Sequence, residues 1–417
     1  MDYIIVILVL IFGFFLKTRY RILSGNEHVL LDQLFFYHMI MSFIFFLYIS
    51  FDGGDATNYW FFPRKYEFDQ LWEILSSGKG SPSYYLYFLN YFPSKVLNLE
   101  FFTGCIIYGV LGYWGIIFMV VSLKENIPLL HHLKHFKVLN FPIYPGIFFL
   151  PNFHFWSAGV GKDTLLFFCV CAFIYVLNNV KKRWFIFIPI FLISYTIRPH
   201  ILLFLAAGFF ASFILKSRLL IFQKSIIIGI AFVAFLPLLD NVLAFAQMDE
   251  ASVDSFTEFS ETKSGHLSRR AGSGIDISGL PYPLQVLTFL YRPLFFDAPN
   301  VLGLMASVEN VIWLTLTIVF LRNKPIHIFK NTSYIILGSF LFWIIGALAF
   351  APSLSNLGII IRQRNMFLPA FIIFAVAGLA YTNKFKKFEW FYYIKKMEWD
   401  KNKQNAIQDN SVIHEES

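Results

Sequence analysis

The chain has 417 residues, of which 57% are hydrophobic, 20% aromatic and only 14% charged, with a mean hydropathy of +0.60. Soluble domains carry about 25% charged residues, so this composition excludes a soluble globular enzyme, a disordered chain, a nucleic-acid module and a disulfide scaffold. The net charge of +8 takes its meaning from where the cations sit.

A membrane-crossing helix needs about 20 mostly apolar residues. About eleven runs qualify or come close: 3–16, 33–51, 101–123, 140–155, 163–180, 184–197, 200–215, 219–244, 300–321, 331–351 and 365–382. The expected fold is therefore all-α, a polytopic transmembrane helical bundle over 1–382 with amphipathic outer-loop helices. The first run does not read as a signal peptide. Asp2 stands where a basic segment belongs, and Lys17, Arg19 and Arg21 follow the run. That order sets the N-terminus outside. With it outside, 22 of the 34 lysines and arginines fall in short inner segments at 17–21, 124–137, 181–183, 216–224, 322–330 and 384–403, as the positive-inside rule requires. Most of the positive charge is thus a topology signal for an inner (plasma) membrane, with no nucleic-acid partner. The segment 383–417 reads as a basic, aromatic cytoplasmic tail lying at the inner leaflet.

Two stretches are long enough to be structured outer loops. Residues 52–100 carry Trp60, Phe61, Phe62, Trp72, Tyr84, Tyr85 and Tyr87, a pattern for helices along the outer interface. Residues 245–299, rich in Ser, Gly and charge around Ser268-Arg269-Arg270-Ala271-Gly272-Ser273-Gly274, read as a mobile loop.

The 12 outer cations are few, and several stand at membrane boundaries, most of these beside Pro, Gly or aromatic residues. They are Lys162 in Gly161-Lys162-Asp163, Arg198 in Arg198-Pro199-His200, Arg292 in Tyr291-Arg292-Pro293, and the pair Arg362-Gln363-Arg364. Ionisable groups at membrane depth are costly and usually functional, and the planar fork of arginine suits phosphate oxygens. Together with Tyr59 and His200, these cations point to a pocket for an anionic, lipid-linked headgroup. The alternative for each is snorkelling to lipid headgroups or pairing with an acid.

Among the carboxylates, Asp55 opens the first outer loop in Phe51-Asp52-Gly53-Gly54-Asp55, where two glycines allow a sharp turn. It is the first choice for a general base, with Asp52 second and helix capping the alternative. Asp163 reads either as a second acid in the same cleft or as a helix-start charge. Glu309, mid-span beside Asn310, reads as a structural partner for an arginine such as Arg292 or Arg362. His131, His132 and His135 have a spacing two metal ligands could use, but they sit in a basic inner loop and no metal site is assigned. Cys105, Cys169 and Cys171 lie in apolar runs with neither disulfide nor metal spacing. Gly159-Val160-Gly161-Lys162-Asp163-Thr164 lacks the full phosphate-loop pattern and a preceding strand. No cofactor is implied. His154 and His200 lie near the outer face, where an interfacial histidine is common.

The order of these motifs resembles the GT-C-type membrane glycosyltransferases. The carrying segments are Gly54-Asp55-Ala56-Thr57-Asn58-Tyr59, Pro82-Ser83-Tyr84-Tyr85-Leu86, the small-residue run Ser157–Asp163 before a long apolar helix, and Arg198-Pro199. The resemblance covers roughly residues 50–215. The outer arginines also resemble polysaccharide polymerases of the Wzy and EpsG kind, which join lipid-linked repeat units. The resemblance implies a polyprenyl-phosphate or -pyrophosphate glycan as donor, Asp55 as base, the arginines on the phosphate, and loop 245–299 closing over the acceptor. A transporter of lipid-linked glycan is the alternative from another class, and it predicts charges along a path open to both sides.

Overall fold

The computed structural model describes residues 2–77, 81–127, 130, 133, 137–138, 141–246, 253–269, 277, 279–298, 301–322 and 325–380. These fold almost entirely into helices. The extended pairing among them is a two-residue antiparallel ladder of β1 (Lys137–Val138) with β2 (Phe141–Pro142).

In chain order the helices are α1 (Asp2–Phe15), α2 (Gly25–Asp52), α3 (Asp55–Phe61), α4 (Phe68–Ser76), α5 (Pro82–Asn90), α6 (Phe101–Asn126), α7 (Ile143–Gly146), α8 (Pro151–Phe155), α9 (Lys162–Asn178), α10 (Val180–Arg183), α11 (Phe187–Ile197), α12 (Pro199–Lys216), α13 (Ile221–Ala246), α14 (Val253–Arg269), α15 (Tyr282–Tyr291), α16 (Val301–Arg322), α17 (Pro325–Asn331), α18 (Tyr334–Phe350), α19 (Leu357–Arg364) and α20 (Leu368–Ala380). Among the described residues six helices are long and apolar enough to cross a membrane. They are Gly25–Asp52, Phe101–Asn126, Pro199–Lys216, Ile221–Leu243, Leu302–Arg322 and Tyr334–Ser353. The α19–α20 pair, bent by 64°, makes a seventh if it counts as one span.

The eleven apolar runs therefore do not all become full-length spans. The run at 140–155 breaks into short turns, because Pro142, Pro145 and Pro151 deny the backbone donors a long helix needs. Run 3–16 forms the 14-residue α1, 163–180 the 17-residue α9, and 184–197 ends in the 11-residue α11. At about 1.5 Å per residue these are shorter than a hydrocarbon core of about 30 Å.

The central element is α6. Val120, Val121, Ile116, Ile117 and Met119 on it are almost fully buried, against α9, α2, α1 and α20. Close approach, not only hydrophobicity, drives helix packing in lipid, and α6 provides it through small residues. At Gly112 a Cβ would lie 1.9 Å from the Ser157 carbonyl oxygen, so only glycine lets the 151–161 segment sit against the helix. By contrast α13 leaves Ile221, Phe222, Ile230, Phe232 and Val233 exposed. A surface of that kind suits lipid contact and would be a liability in water.

Loop 52–100 is helical through α3, α4 and α5. Within loop 245–299, α14 and α15 are helices, and α14 packs on the 3₁₀ turn Ala351–Ser353. Its Val253, Phe256 and Phe259 recur at helical spacing, a signal masked by the polar residues between them. The 270–274 portion of the Ser/Gly stretch, His131, His132 and His135, and the tail 383–417 lie outside the described residues.

Candidate functional site: a cation cluster around Asp163

The site forms where the ends of α2, α9, α11, α12 and α19 converge. The long helix α2 stops because Gly53 (φ +75°) and Gly54 (φ +153°) take backbone conformations that side chains disfavour. The chain turns sharply there and restarts as α3 with Asp55 as its first residue. Asp55 is exposed, and its carboxylate forms no hydrogen bond or ion pair with the described residues. Tyr59, one turn on, is buried, and Asn90 Nδ2 anchors its carbonyl at 3.0 Å. Burial first, and the nearby Asp55 charge second, push its hydroxyl up to about 12. The Tyr59 phenol therefore stays protonated at physiological pH and bonds with Ser83.

Asp163 sits in the first turn of α9 with its side chain 6% exposed. Its Oδ1 lies 3.3 Å from Arg198 Nη2, and its Oδ2 accepts from Arg362 Nε. One carboxylate thus serves two guanidiniums from two distant stretches of chain. Arg198, placed between α11 and α12 by Pro199, also donates from Nη1 to Gln363 Oε1 and lies 3.0 Å from Met366 Sδ. The Arg362 guanidinium lies 5.7 Å from the Trp156 ring, a distance at which the ring face attracts a cation. Lys162 has no carboxylate within ion-pair reach among the described residues. Its Nζ donates to Ser83 Oγ at 3.1 Å and lies 5.3 Å from the Tyr59 ring.

A fourth cation arrives from α14. Lys263 Nζ lies 5.0 Å from the Phe259 ring, and the neighbouring Ser264 carbonyl accepts a hydrogen bond from Ser355 Oγ. Burial, with the charge of Arg198 adding to it, pushes the Lys263 ammonium down to about 8. His200 lies within range of both the Arg198 and Lys263 charges, its ring packed at 5.5 Å from that of Phe350.

Asp55, Tyr59, Trp156, Asp163 and Arg362 line one cavity of about 170 Å³, whose walls close at Gly159. A Cβ on Gly159 would fall 2.0 Å from the Phe45 ring, so that glycine keeps the wall thin. A second, larger concavity of about 830 Å³ runs along α11 toward α12 and α13. Its lining is apolar, from Phe187 and Phe191 to Tyr195, Leu202 and Leu238, and Tyr195 and Leu202 place its end within about a turn of Arg198.

The structure thus brings together Asp55, Tyr59, Lys162, Asp163, Arg198, His200 and Arg362. The other sequence-designated residues stand apart. Asp52 ends α2 exposed and outside the cavity lining. Arg292 pairs with Asp297, whose second oxygen accepts from the Leu294 amide. Arg364 turns away from the cavity: its guanidinium donates to the Phe289, Leu290 and Arg292 carbonyls and to Asn310 Oδ1. It satisfies the acceptors a helix end leaves open, here the end of α15. Asp163 binds two guanidiniums and so offers no free oxygen pair as a base. Glu309 pairs with neither Arg292 nor Arg362; it accepts from the Asn152 amide at 2.7 Å, at the start of α8. His154 is buried far from solvent against His38, with Nδ1 atoms 2.8 Å apart. Its Nε2 donates to the Phe148 carbonyl, so both nitrogens of the ring are taken up inside the bundle.

Sequence reasoning missed Ser83, Trp156 and Gln363 as individual contributors, although Ser83 and Gln363 lie inside quoted motifs and Trp156 immediately precedes one. It missed Lys263 entirely. Among the described residues no group of three or more His, Cys, Asp or Glu side chains comes together to hold a metal ion. Comparison of the chain with protein-family models, with curated proteins and with solved structures finds no match in any of the three.

Proposed function

We propose that the chain is a membrane glycosyltransferase that moves a sugar from a polyprenyl-linked donor to an acceptor hydroxyl in cell-envelope glycan assembly. The reading puts the Asp55 end of the bundle on the extracytoplasmic side, with the N-terminus outside and the C-terminal tail inside. One observation carries it: Arg198 and Arg362 share the single carboxylate of Asp163, and Lys162 stands next to it in the chain, beside a cavity whose rim holds an unpaired, exposed Asp55.

In this mechanism the donor phosphate lies against the cations, and its prenyl chain follows the apolar groove along α11. Asp55 takes the proton of the acceptor hydroxyl. The hydroxyl oxygen bonds to the anomeric carbon while the carbon–oxygen bond to phosphate breaks, and that electron pair passes to the phosphate oxygen. The preorganised cations stabilise the charge that develops there. A single displacement of this kind inverts the anomeric centre. Asp163 acts as a positioning residue, holding Arg198 and Arg362 in place.

The same chemistry fits both GT-C-type transfer of one sugar and joining of repeat units in the manner of Wzy and EpsG proteins, where the acceptor is itself lipid-linked. A transporter would need unpaired charge accessible at both ends. At the opposite end the cations packed between helices are paired, Lys124 with Glu27 and Arg183 with Glu125, and the remaining ones such as Arg19, Lys181 and Lys182 lie on the exposed surface. A cavity lined by charge stands at the Asp55 end, and that supports the enzyme reading.

The test is Asp55→Asn expressed in cells at the normal protein level. Accumulated lipid-linked glycan together with depleted product is the expected result. Unchanged glycan and unchanged lipid-linked pools would overturn the reading.

A further inference from the structure

Among the described residues four glycines line the cavity beside Asp55: Gly53, Gly54, Gly159 and Gly161. The fold accounts for three of them. Gly53 and Gly54 take positive φ where α2 ends, and Gly159 makes room for the Phe45 ring. Gly161 is different. Its backbone is extended (φ 169°, ψ 168°), a conformation open to any residue, and a Cβ built on it meets no atom within 4 Å among the described residues. It stands at the N-cap of α9, where serine serves at least as well as glycine. Backbone, packing and capping therefore all permit a side chain at 161, and the open space beside it is that of the cavity.

The rest of the lining sets aromatic rings beside few free polar groups. Tyr48, Tyr59 and Trp156 contribute the rings. The Trp156 indole N–H is buried without an acceptor among the described residues, so Trp156 serves the wall through its ring and not its polar tip. Thr164 donates its hydroxyl to the Gly159 carbonyl at 2.6 Å, and Asp163 is held by Arg198 and Arg362. Asp55 is the carboxylate left open at the rim. A pyranose ring has apolar C–H faces and a rim of hydroxyls, so it suits aromatic walls with one carboxylate at the edge. The volume of about 170 Å³ lies below the roughly 300–1,000 Å³ of pockets that enclose drug-sized ligands, which leaves room for one ring and not two.

We propose that this cavity is the acceptor subsite, that it takes a single pyranose ring, and that Gly161 is the specificity-determining residue that leaves room for that ring. The inference rests on the transfer reaction proposed above and narrows its acceptor to one sugar unit at a stated place. The cavity shares no lining residue with the groove along α11, so acceptor ring and prenyl chain occupy separate spaces. Asp55 at the rim meets one ring hydroxyl, the one that loses its proton in the transfer.

The experiment compares the full-length wild type with Gly161→Ser in a detergent that has neither a sugar nor a phosphate headgroup. Saturation-transfer NMR reads binding of a panel of methyl pyranosides, of the matching methyl disaccharides and of farnesyl phosphate. Wild type is expected to bind at least one methyl pyranoside, and the matching disaccharide within about threefold of it, because one ring alone is enclosed. Gly161→Ser is expected to weaken the pyranoside by at least about tenfold, the effect of a small misfitted group in a closed pocket, and to change farnesyl phosphate by less than about twofold. Its melting temperature is expected to equal that of wild type or exceed it, since serine caps at least as well. Pyranoside affinity unchanged in Gly161→Ser overturns the proposal, as does a lowered melting temperature with all ligands weakened alike, which would make the glycine structural. A disaccharide bound at least about tenfold more tightly than its single ring overturns the one-ring limit. Wild type that binds farnesyl phosphate but no pyranoside overturns the proposal and leaves the donor site standing. Wild type that binds neither overturns both.

Discussion

At the end of the bundle that carries Glu27, Lys124 and Glu125, the described ion pairs are matched one cation to one carboxylate. Lys17 meets Asp32 at 2.5 Å, Lys124 meets Glu27 at 3.1 Å, and Arg183 grips both oxygens of Glu125 while lying 3.7 Å from the Tyr175 ring. Uncharged partners close the remaining gaps, as where Asn126 bonds Asn178. At the Asp55 end one carboxylate is divided between two arginines, Lys162 goes without a carboxylate among the described residues, and a second carboxylate is left facing solvent. The contrast separates two uses of charge. Paired charge fixes helices relative to one another. Unbalanced charge, held rigidly and close to solvent, is a binding potential that only an anionic ligand completes.

The strongest way to break this comparison is at Asp55. Asp55→Asn is expected to cut the transfer rate by about 10²- to 10⁴-fold, the usual worth of a general base, with the melting temperature unmoved because the side chain is exposed. A parallel fall in stability would make Asp55 a structural residue and erase the distinction between the ends.

Asp163→Asn comes next. It strips two largely buried guanidiniums of their counter-charge and is expected to destabilise the protein by about 3–5 kcal/mol, read by thermal unfolding in detergent, with donor binding lost as well. Glu125→Gln at the opposite end is expected to cost about 1.5–3 kcal/mol and to leave donor affinity of the folded fraction intact. Equal effects on donor affinity would show that the two ends do not differ in kind.

The pH dependence is smaller and has a definite sign. Lys162 lies beside Arg198, Arg362, Asp55 and Asp163, and burial first, with the charge of Arg198 second, puts its ammonium at about 8. An anionic donor against it would favour the charged form and raise that value. Donor affinity is therefore expected to be flat below about pH 8 and to fall as pH rises above it, by up to about tenfold per pH unit. In Lys162→Gln that fall should vanish. The smallest effect is expected at Arg292, which already holds Asp297: Arg292→Gln should change donor affinity by less than about twofold.

Much of the site was legible because charge is so scarce in this chain. Lys162 and Arg198 interrupt apolar sequence beside Gly or Pro, Arg362 interrupts it directly after Ile359-Ile360-Ile361, and such an interruption announces a helix end. What sequence could not show was direction. Arg362 and Arg364 are two residues apart on one helix, so they point to different sides: the first reaches Asp163, the second the end of α15. Lys263 stayed hidden for the opposite reason. In the polar sequence of α14 a lysine carries no contrast, and only its burial beside Arg198 sets it apart. The helical fold was equally legible, but span lengths were not, since hydropathy registers the apolar run at 140–155 and ignores the prolines that break it.

The groove along α11 has a further consequence. That helix has 11 residues, a length of about 16 Å, which is close to half of a hydrocarbon core of about 30 Å. A prenyl chain seated there is gripped over the depth of a single leaflet, and whatever length remains lies free among the lipid tails. The protein would then draw its donor sideways out of one leaflet and respond alike to carriers of different length, provided each is long enough to fill that half of the bilayer.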